Sequence, residues 1–413
     1  MTNVYDELSE RGFIQQVSNE ESLRNKLSKE KVTCYIGFDP TADSLHVGSL
    51  LPIMALVHMQ RFGHKPIAIL GGGTSMVGDP SGRTEMRQML TREQIVANGE
   101  KIRQQLSRFL DFDGGRAIII DNAEWLLKLN YIDFLRDIGR HFSVNRMLAA
   151  EAYKIRMEAG LSFIEFNYQV LQAYDYLMLY RRYGCTLQMG GNDQWGNILA
   201  GVDLIRRIEG AEVEALTFPL ITTAGGQKMG KTAAGAVWLE AEKFSPYDFY
   251  QYWVNVDDRD VAPFLKYFTL LPLEAIRELA SLQGADLRQA KAVLAYEVTK
   301  LVHGEAAAQQ ARGAAQALFG DGTSSEAVPQ ITMSAEKFRH GMNVIDLFVA
   351  AGLASSKSEA RRLVTQGGAY VNKKRIQSLE EKIDLNDAQE CMLLLRAGKK
   401  RYQKVVIRDD EGR

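Results

Sequence analysis

The chain has 413 residues, 46% of them hydrophobic and 24% charged, with a formal net charge of −1. That length and mixture can build a full hydrophobic core over two or three domains. The longest apolar run, LLPIMALV, is far shorter than the roughly 20 residues of a membrane span, so no membrane partner is expected. The acidic start, MTNVYDELSERG, lacks the apolar core of a secretory signal. Three widely spaced cysteines, Cys34, Cys185 and Cys391, argue against a disulfide framework or zinc cluster and favour a reducing cytoplasm.

The first half of the chain alternates predicted strands and helices. VTCYIGF and KPIAILGGG are apolar, β-rich runs that end in glycine, and SLLPIMALVHMQRFG between them has helical spacing. RAIIIDN and CTLQMGGNDQW repeat the pattern of a strand followed by polar residues. This alternation predicts an α/β fold with a parallel sheet, whose ligands bind beyond the carboxyl ends of the strands. The polar clusters 39–49, 71–87 and 190–197 all follow such strands.

Helical patterns replace this alternation after about residue 235. SPYDFYQYWVNV, DRDVAPFLKYFTLL, LEAIRELASL and LRQAKAVLAYEVTKLVHG predict an α-helical region. GDGTSSEAVPQITMSAEK has no periodicity and reads as a linker. The tail then predicts two short helices, a Gly-Gly turn and a strand that ends in basic residues. The predicted domains are 1–234 (α/β), 235–320 (helical), 321–343 (linker) and 344–413 (small α+β).

Two short segments carry the strongest chemical signals. HVGS, His46 to Ser49, lies at the predicted start of a helix, where free N–H groups attract anions and Gly48 allows close approach to the backbone. GQKMGKTAAG, residues 226–235, places two lysines three positions apart in a glycine-rich loop, which suits the charge of a transferring phosphate. Its spacing is not that of a phosphate-binding P-loop. Alone, the first segment also fits an ordinary helix start and the second a solvated turn.

Together, these segments resemble the HIGH and KMSKS elements of the class I aminoacyl-tRNA synthetases, in the same order on an α/β region. Five stretches, YIGFDPTADSLHVGSL, GGGTSMVGDPSGR, FNYQVLQAYDYLMLY, GGNDQWGNI and GQKMGKT, resemble the bacterial tyrosyl-tRNA synthetase family over essentially the whole chain. The resemblance implies a Rossmann-like catalytic domain, a helical anticodon-side domain and an S4-like RNA-binding domain. It also implies a homodimer, for which 134–148 is the suggested interface.

The implied activity joins tyrosine to tRNA(Tyr) in two steps, through a tyrosyl-adenylate made from ATP. L-tyrosine, ATP and the tRNA are the implied partners, and Mg²⁺ is expected with the nucleotide, although no carboxylate cluster resembles a dedicated metal cage. The tyrosine carboxylate is already ionised, so the first step needs positioning and charge stabilisation and no protein nucleophile. The catalytic residues implied are Thr41, His46, Ser49, Arg83, Arg87, Lys228, Lys231 and Thr232.

The resemblance also assigns binding roles, residue by residue. The tyrosine-binding residues implied are Tyr35, Asp79, Tyr168, Gln172, Asp175 and Gln194. The ATP-binding residues implied are Gly37, Asp39, His46, Gly48, Gly191, Asp193 and Lys231. Residues 168, 172 and 175 have the i, i+4, i+7 spacing of one helix face, which by itself also fits a partly buried core stripe.

Two departures from the family pattern concern the signature elements. Ser49 replaces the last histidine of HIGH, and Gly230 and Thr232 replace the two serines of KMSKS. Arg83 stands where relatives often carry lysine, which keeps the charge. The assignment holds, but Ser49 cannot act as a cation.

The tail is mildly basic. From Gly341 onward it has 14 Lys and Arg against 10 Asp and Glu, which suits an anionic partner and also an ordinary solvated face. In an S4-like module these cations would contact the RNA backbone, which positions RNA without reading its sequence. The RNA-binding residues implied are Lys357, Arg361, Arg362, Lys373, Lys374 and Arg375.

Two other functions compete with this interpretation. One is a ligase of the same superfamily with a different acid, such as a tryptophan-specific synthetase or a pantothenate ligase. The Tyr35–Asp175 pair, suited to a phenol, and the RNA-type tail oppose it. The other is an RNA-binding or splicing-accessory protein without catalysis, which the intact HVG and KMGKT elements oppose.

Overall fold

The computed structural model describes residues 3–81, 89–149, 151–226, 229–232, 235–319, 328–372, 374–389, 391–398 and 401–408. The chain forms two compact units. The first comprises Met1–Lys243 and Asp257–Ala290, and the second comprises Phe244–Val256 and Lys291–Arg413. Within the described ranges, no helix is long and apolar enough to cross a membrane.

A six-stranded sheet forms the centre of the first unit, in the order β1-β6-β5-β2-β3-β4. Its strands are β1 (Gln16–Val17), β2 (Thr33–Phe38), β3 (Lys65–Leu70), β4 (Ile118–Asp121), β5 (Cys185–Gly191) and β6 (Glu214–Phe218). β2 to β6 pair in parallel, and only β1 is antiparallel to its neighbour. The predicted parallel α/β sheet is therefore confirmed. Apolar runs such as KPIAIL form its inner strands because helices cover both faces.

The helices of the first unit pack around this sheet. They are α1 (Val4–Arg11), α2 (Glu20–Lys29), α3 (Leu50–Arg61), α4 (Arg92–Leu106), α5 (Ala123–Leu126), α6 (Tyr131–Asp137), α7 (Val144–Leu148), α8 (Glu151–Ala159), α9 (Phe163–Tyr183) and α10 (Trp195–Glu209). Two further helices, α12 (Asp258–Phe268) and α13 (Leu273–Ser281), complete it. α9 begins at a capping box of Ser162 and Glu165 and ends at Gly184, whose φ of 61° suits glycine. α9 therefore runs for 21 residues and carries one face into the sheet.

The second unit contains the remaining elements. Its helices are α11 (Pro246–Val254), most of α14 (Leu287–His303), α15 (Glu305–Phe319), α16 (Glu336–Arg339), α17 (Val344–Ala350) and α18 (Lys357–Thr365). A five-stranded sheet has the order β12-β11-β14-β15-β9. Its strands are β9 (Gln330–Ser334), β11 (Ala369–Val371), β12 (Lys374–Arg375), β14 (Met392–Ala397) and β15 (Arg401–Arg408), and two short ones, β10 (Met342–Asn343) and β13 (Lys382–Ile383), pair separately.

The structure differs from the prediction in the segment 321–343. Residues 328–343 are not an irregular linker, because β9 pairs in parallel with β15 from Gln330 to Ser334. Met333 and Phe338 are buried in the core of the C-terminal sheet and its helices. The run QITMS is short and lies between polar segments, so its strand is set by a partner about 70 residues away in the sequence and not by local periodicity. The other predicted boundaries stay predictions.

Arg11 fixes the end of α12. Its side chain is 2% exposed and donates to the carbonyl oxygens of Lys266 (3.1 Å), Thr269 (3.1 Å) and Leu271 (2.7 Å). Glu7, one turn earlier on α1, accepts from Arg11 Nε at 2.6 Å. Carbonyl groups at the C-terminal end of a helix lack partners within the helix, and a cation stabilises them. The N-terminal helix α1 and α12 are therefore joined by one buried guanidinium.

Replacing Arg11 with methionine keeps the apolar stem but leaves the three carbonyl groups and Glu7 without their donor. We expect Arg11→Met to lower the free energy of unfolding by about 3 kcal/mol. The measurement is urea unfolding followed by tryptophan fluorescence. The control is Arg24→Met, because Arg24 forms an ion pair with Asp6 but is 53% exposed, and its loss should cost less than about 1 kcal/mol. Equal destabilisation of the two variants would contradict this role of Arg11.

Candidate active site

The candidate site lies where β2 and β5 adjoin at the centre of the sheet. From β2 the chain proceeds through β3 to β4 on one side, and it then returns to β5 on the other side. Such a change of direction opens a crevice at the carboxyl ends of the two strands. Asp39 follows β2 directly, and Asp193 and Gln194 follow β5 in a short 3₁₀ turn. The topology therefore brings together two of the predicted clusters that lie about 150 residues apart.

Asp175 is a buried carboxylate whose hydrogen-bond donors are neutral side chains. It lies on α9 at 3% exposure and accepts hydrogen bonds from Asn122 Nδ2 (2.9 Å) and Trp125 Nε1 (2.8 Å). Burial raises the pKa of Asp175 to about 7, although both hydrogen bonds oppose the shift. Neither Asn122 nor Trp125 was predicted as a site residue. Their only signal is their place at the end of a predicted strand, since Asn122 is the last residue of RAIIIDN and Trp125 follows it by three positions.

Tyr35 presents a buried hydroxyl at the same place. The residue is 1% exposed, and its hydroxyl has no hydrogen-bond partner within the described part of the chain. Burial and then the nearby charge of Asp175 hold the pKa of this hydroxyl well above its usual range. A buried polar group without a partner costs free energy, so such a group is usually explained by a ligand or water. Tyr35 and Asp175 together can bind a group that both donates and accepts a hydrogen bond.

A second cluster of polar side chains contains Asp39 and Asp79. Tyr168 donates from its hydroxyl to Asp39 Oδ2 at 3.0 Å, and Gln194 donates to Asp79 Oδ2 at 2.7 Å. Asn197 donates to Gln172 Oε1 at 3.1 Å. The predicted face of α9 therefore does reach the strand ends. Two carboxylates among neutral amides and a phenol make this part of the site suited to a cation such as an ammonium group.

Asn197 also connects this group to its neighbours. Its Nδ2 lies 3.2 Å from Gln194 Oε1 and 3.3 Å from Ser81 Oγ, and the residue is 4% exposed. Neither Asn197 nor Ser81 was predicted as a site residue. Asn197 lies in the quoted motif GGNDQWGNI, but nothing in the spacing distinguishes it from its neighbours.

The HVGS and KMGKT segments are in direct contact. His46 Nδ1 accepts from the N–H of Gly48 at 3.0 Å, so His46 caps the helical turn that precedes α3. The N–H of Val47 donates to the carbonyl of Val237 (2.9 Å), and the N–H of Val237 donates to the carbonyl of Gly230 (3.0 Å). One extended segment thus hydrogen-bonds to both motifs.

Two glycines permit this approach. A side chain at Gly48 would lie 3.2 Å from the carbonyl oxygen of Met229, and one at Gly230 would lie 3.0 Å from His46 Nδ1. Gly230 also has φ of 92°, a conformation that favours glycine. The substitution of glycine for the first serine of the family pattern therefore fits the local backbone.

Glycines also open the floor of the crevice. Gly37 is exposed within β2 although the residues on either side of it are buried. A Cβ at Gly71 would lie 1.9 Å from Asp39 Oδ1, and one at Gly191 would lie 2.6 Å from Asp193 Oδ1. Backbone without side chains at these points gives a flat ligand close access to the strand ends.

The structure describes some of the remaining predicted catalytic residues. Thr41 is exposed two residues after Asp39, whose carbonyl accepts its N–H at 2.8 Å, and the Ser49 N–H donates to the His46 carbonyl at 2.8 Å. The backbone of Lys231 and Thr232 forms a short strand, β7 (Lys231–Thr232), antiparallel to β8 (Gly235–Ala236). Three predicted catalytic residues lie outside the described residues: Arg83, Arg87 and Lys228. The described residues contain no group of three or more His, Cys, Asp and Glu side chains placed to hold a metal ion.

The predicted RNA-binding cations lie on the surface of the second unit. Lys357, Arg361 and Arg362 are exposed on α18, and Lys374 and Arg375 are exposed in the hairpin that follows β11; Lys373 lies outside the described residues. Lys357 pairs with Asp346 at 2.7 Å, so part of its charge is neutralised within the protein.

Comparison with known proteins gives consistent results for both halves of the chain. The family model of tRNA synthetases class I (W and Y) matches residues 27–320, and that of the tyrosine–tRNA ligase SYY-like C-terminal domain matches residues 322–405. The tyrosine–tRNA ligase of Desulfosudis oleivorans is 56% identical over 98% of this chain and 99% of its own. The tyrosine–tRNA ligase of Caldanaerobacter subterraneus is 54% identical over 98% of this chain and 100% of its own. The crystal structure of a C-terminally truncated mitochondrial tyrosyl-tRNA synthetase from Aspergillus nidulans is 32% identical, covers 77% of this chain and 95% of that one, and has a TM-score of 0.70.

The raised pKa of Asp175 predicts a pH-dependent stability. The carboxyl binds its proton more tightly in the folded state (pKa about 7) than at its ordinary value of 3.8, so stability falls as pH rises through this window and is level above it. We expect Asp175→Asn to remove this fall, which amounts to about 4 kcal/mol at most. Urea unfolding of both proteins between pH 4 and 8 measures the difference. The control is Asp133→Asn, because Asp133 is 61% exposed. A difference between wild type and Asp175→Asn that did not change with pH would contradict the assignment.

Proposed function

Since the chain belongs to the class I tRNA synthetases of the tryptophan and tyrosine type, we propose that it acts as a tyrosine–tRNA ligase. The carboxylate oxygen of L-tyrosine attacks the α-phosphorus of ATP, and pyrophosphate leaves to give tyrosyl-adenylate. A hydroxyl of the 3′-terminal ribose of tRNA(Tyr) then attacks the tyrosyl carbonyl and AMP leaves. The relatives that match at 54–56% identity over nearly their full length are named tyrosine–tRNA ligases, which supports tyrosine over tryptophan.

The buried pair of Tyr35 and Asp175 is the main support for tyrosine as the substrate amino acid. A phenol hydroxyl would donate to the carboxylate and accept from Tyr35, which satisfies both groups at once. The substrate ammonium would then lie among Tyr168, Gln172 and Asp79, and Gln194 would orient the carboxylate.

The two contacting motifs form the nucleotide part of the site. ATP would lie over Gly37, Gly48 and Gly191, with Asp193 at the ribose. His46 and Thr41 would contact the phosphates, and Lys231 would neutralise charge on the departing pyrophosphate. Ser49 and Thr232 would assist, with Arg83, Arg87 and Lys228 as further cations. Mg²⁺ would enter with ATP and neutralise part of the phosphate charge.

The tail and the surface suggest the macromolecular partners. The exposed cations of α18 and the following hairpin would bind the phosphate backbone of tRNA(Tyr). A homodimer is supported by exposed apolar side chains in and next to 134–148, among them Ile132 (67%), Leu135 (41%) and Val144 (56%). The three cysteines are free thiols, which agrees with a cytoplasmic location.

Selectivity for tyrosine tests the choice of amino acid. We expect pyrophosphate exchange with tyrosine and not with tryptophan or phenylalanine, followed by charging of tRNA(Tyr). Tyr35→Phe should reduce the preference for tyrosine over phenylalanine roughly tenfold, because one hydrogen bond to the phenol is lost. The control is Tyr176→Phe, because the Tyr176 hydroxyl donates to the Glu214 carbonyl (2.8 Å) and not to the crevice. Unchanged discrimination in Tyr35→Phe would remove Tyr35 from the site. Exchange with tryptophan alone, or no exchange at all, would favour the competing functions.

The loop lysine should act on the transition state. Lys231→Ala should slow adenylate formation about a hundredfold, equivalent to about 3 kcal/mol, with little change in ATP affinity. The measurement is pre-steady-state adenylate formation at varied ATP. Lys101→Ala is the control, because Lys101 is 57% exposed in an ion pair with Asp43. A loss of ATP affinity equal to the whole effect would identify Lys231 as a ground-state ATP ligand instead.

A further inference from the structure

A hydrogen-bonded turn at residues 223–226 lies just before the KMGKT segment. The N–H of Met229 donates to the carbonyl of Ile221 at 3.0 Å, so a backbone hydrogen bond joins the chain on the two sides of this turn. Within it, the N–H of Gly226 donates to the carbonyl of Thr223 at 2.7 Å, and Gly226 has φ of 78°. The backbone then continues from Met229 to Gly230, where it contacts His46. A shift of this turn would therefore move the backbone that leads to Lys231.

Asp260, on α12, contacts this turn although it lies 36 residues after Ala224 in the sequence. Both of its carboxylate oxygens accept the N–H of Ala224, at 3.1 and 3.0 Å. Asp260 is only 8% exposed, so water competes weakly for this charge-assisted hydrogen bond. The bond uses the backbone of residue 224, so it holds the turn itself and not a side chain on it.

The position of Asp260 on α12 makes it available for this contact. It is in the first turn, where a carboxylate is stabilised by the helix dipole. The N-terminal cap is already supplied by Asp257, whose Oδ1 accepts the N–H of Arg259 at 3.0 Å. Asp260 is thus not needed as the cap and reaches across to Ala224. Because Arg11 fixes the other end, α12 is held at both termini.

We propose that Asp260 is a positioning residue that holds the turn 223–226, and through it the backbone of residues 229–232, against the HVGS element. This inference rests on the proposed function, since the loop lysines matter only if phosphate is transferred. No substrate contact is assigned to Asp260, which acts through the Ala224 backbone. Its effect is to fix the position from which Lys231 acts on the departing pyrophosphate, which lowers the barrier of that step.

A first experiment measures the loop without measuring catalysis. In the full-length protein, Asp260→Ala should increase the initial rate of trypsin cleavage after Lys228 and Lys231 roughly tenfold, because the turn is no longer held. Asp260→Asn should cleave at nearly the wild-type rate, because its Oδ1 still accepts the N–H of Ala224. Glu274→Ala is the control, because Glu274 is also in the first turn of a helix but is 77% exposed. Equal cleavage of wild type and Asp260→Ala would overturn the proposal.

A second experiment is a double-mutant cycle with Lys231. Asp260→Ala alone should slow adenylate formation roughly tenfold and leave equilibrium tyrosine binding unchanged, and Asp260→Asn should restore most of the rate. In the Lys231→Ala background, Asp260→Ala should slow the reaction by less than about twofold, because the group that it positions is gone. A full tenfold loss in both backgrounds, or a matching loss of tyrosine binding, would make Asp260 a general structural residue and overturn the proposal.

The two experiments separate this inference from the proposed function. If wild type shows no pyrophosphate exchange with tyrosine, the proposed function fails, and the trypsin rates still decide whether Asp260 holds the turn. If exchange is normal and the cycle is additive, only the role of Asp260 is wrong.

Discussion

The structure of the site depends on the change of direction between the paired parallel strands β2 and β5 at the centre of the sheet. Because the connections after these two strands lead to opposite sides of the sheet, a crevice opens at their carboxyl ends. Three polar side chains of the candidate site come from different elements: Asp39 follows β2, Gln194 follows β5 and Asp175 lies on α9. Glycines at the strand ends keep the crevice open because a Cβ at Gly71 or Gly191 would meet a carboxylate.

Burial determines the pKa of Asp175 and the free-energy cost of the Tyr35 hydroxyl. Asp175 accepts two hydrogen bonds, but loss of hydration still raises its pKa to about 7, and the Tyr35 hydroxyl beside it lacks a partner within the described residues. Burying these groups without a ligand costs free energy, and in the proposed complex one phenol would satisfy both, so the free energy of binding would depend on the substrate hydroxyl. An exposed pair with the same residues would have its hydrogen bonds replaced by water and would discriminate weakly.

The catalytic loop is tied to the rest of the unit by backbone groups. Val237 hydrogen-bonds to the backbone of both signature segments, and Ala224 is held by a carboxylate on α12. Backbone contacts of this kind do not depend on side-chain identity, so they are compatible with Gly230 and Thr232 in place of serines. Arg11 fixes one end of α12, and Asp260 at the other end contacts Ala224, so this helix is joined both to α1 and to the turn before Met229.

Sequence patterns by themselves predicted the four strands β2 to β5, because short β-rich apolar runs followed by glycine or polar residues have few other solutions, whereas the two signature segments were identified by their resemblance to a family. The i, i+4, i+7 spacing placed Tyr168, Gln172 and Asp175 on one face, but only the packing of α9 against the strand ends shows that this face is more than core. Asn122, Trp125, Asn197 and Asp260 carried no distinguishing pattern, because their partners are distant in sequence and their roles depend on burial. The strand Gln330–Ser334 was missed for the same reason: a short polar-flanked run becomes a strand only when β15 supplies its hydrogen bonds. Local sequence thus sets periodicity and chemistry, and tertiary structure decides which of these groups meet and which lose their water.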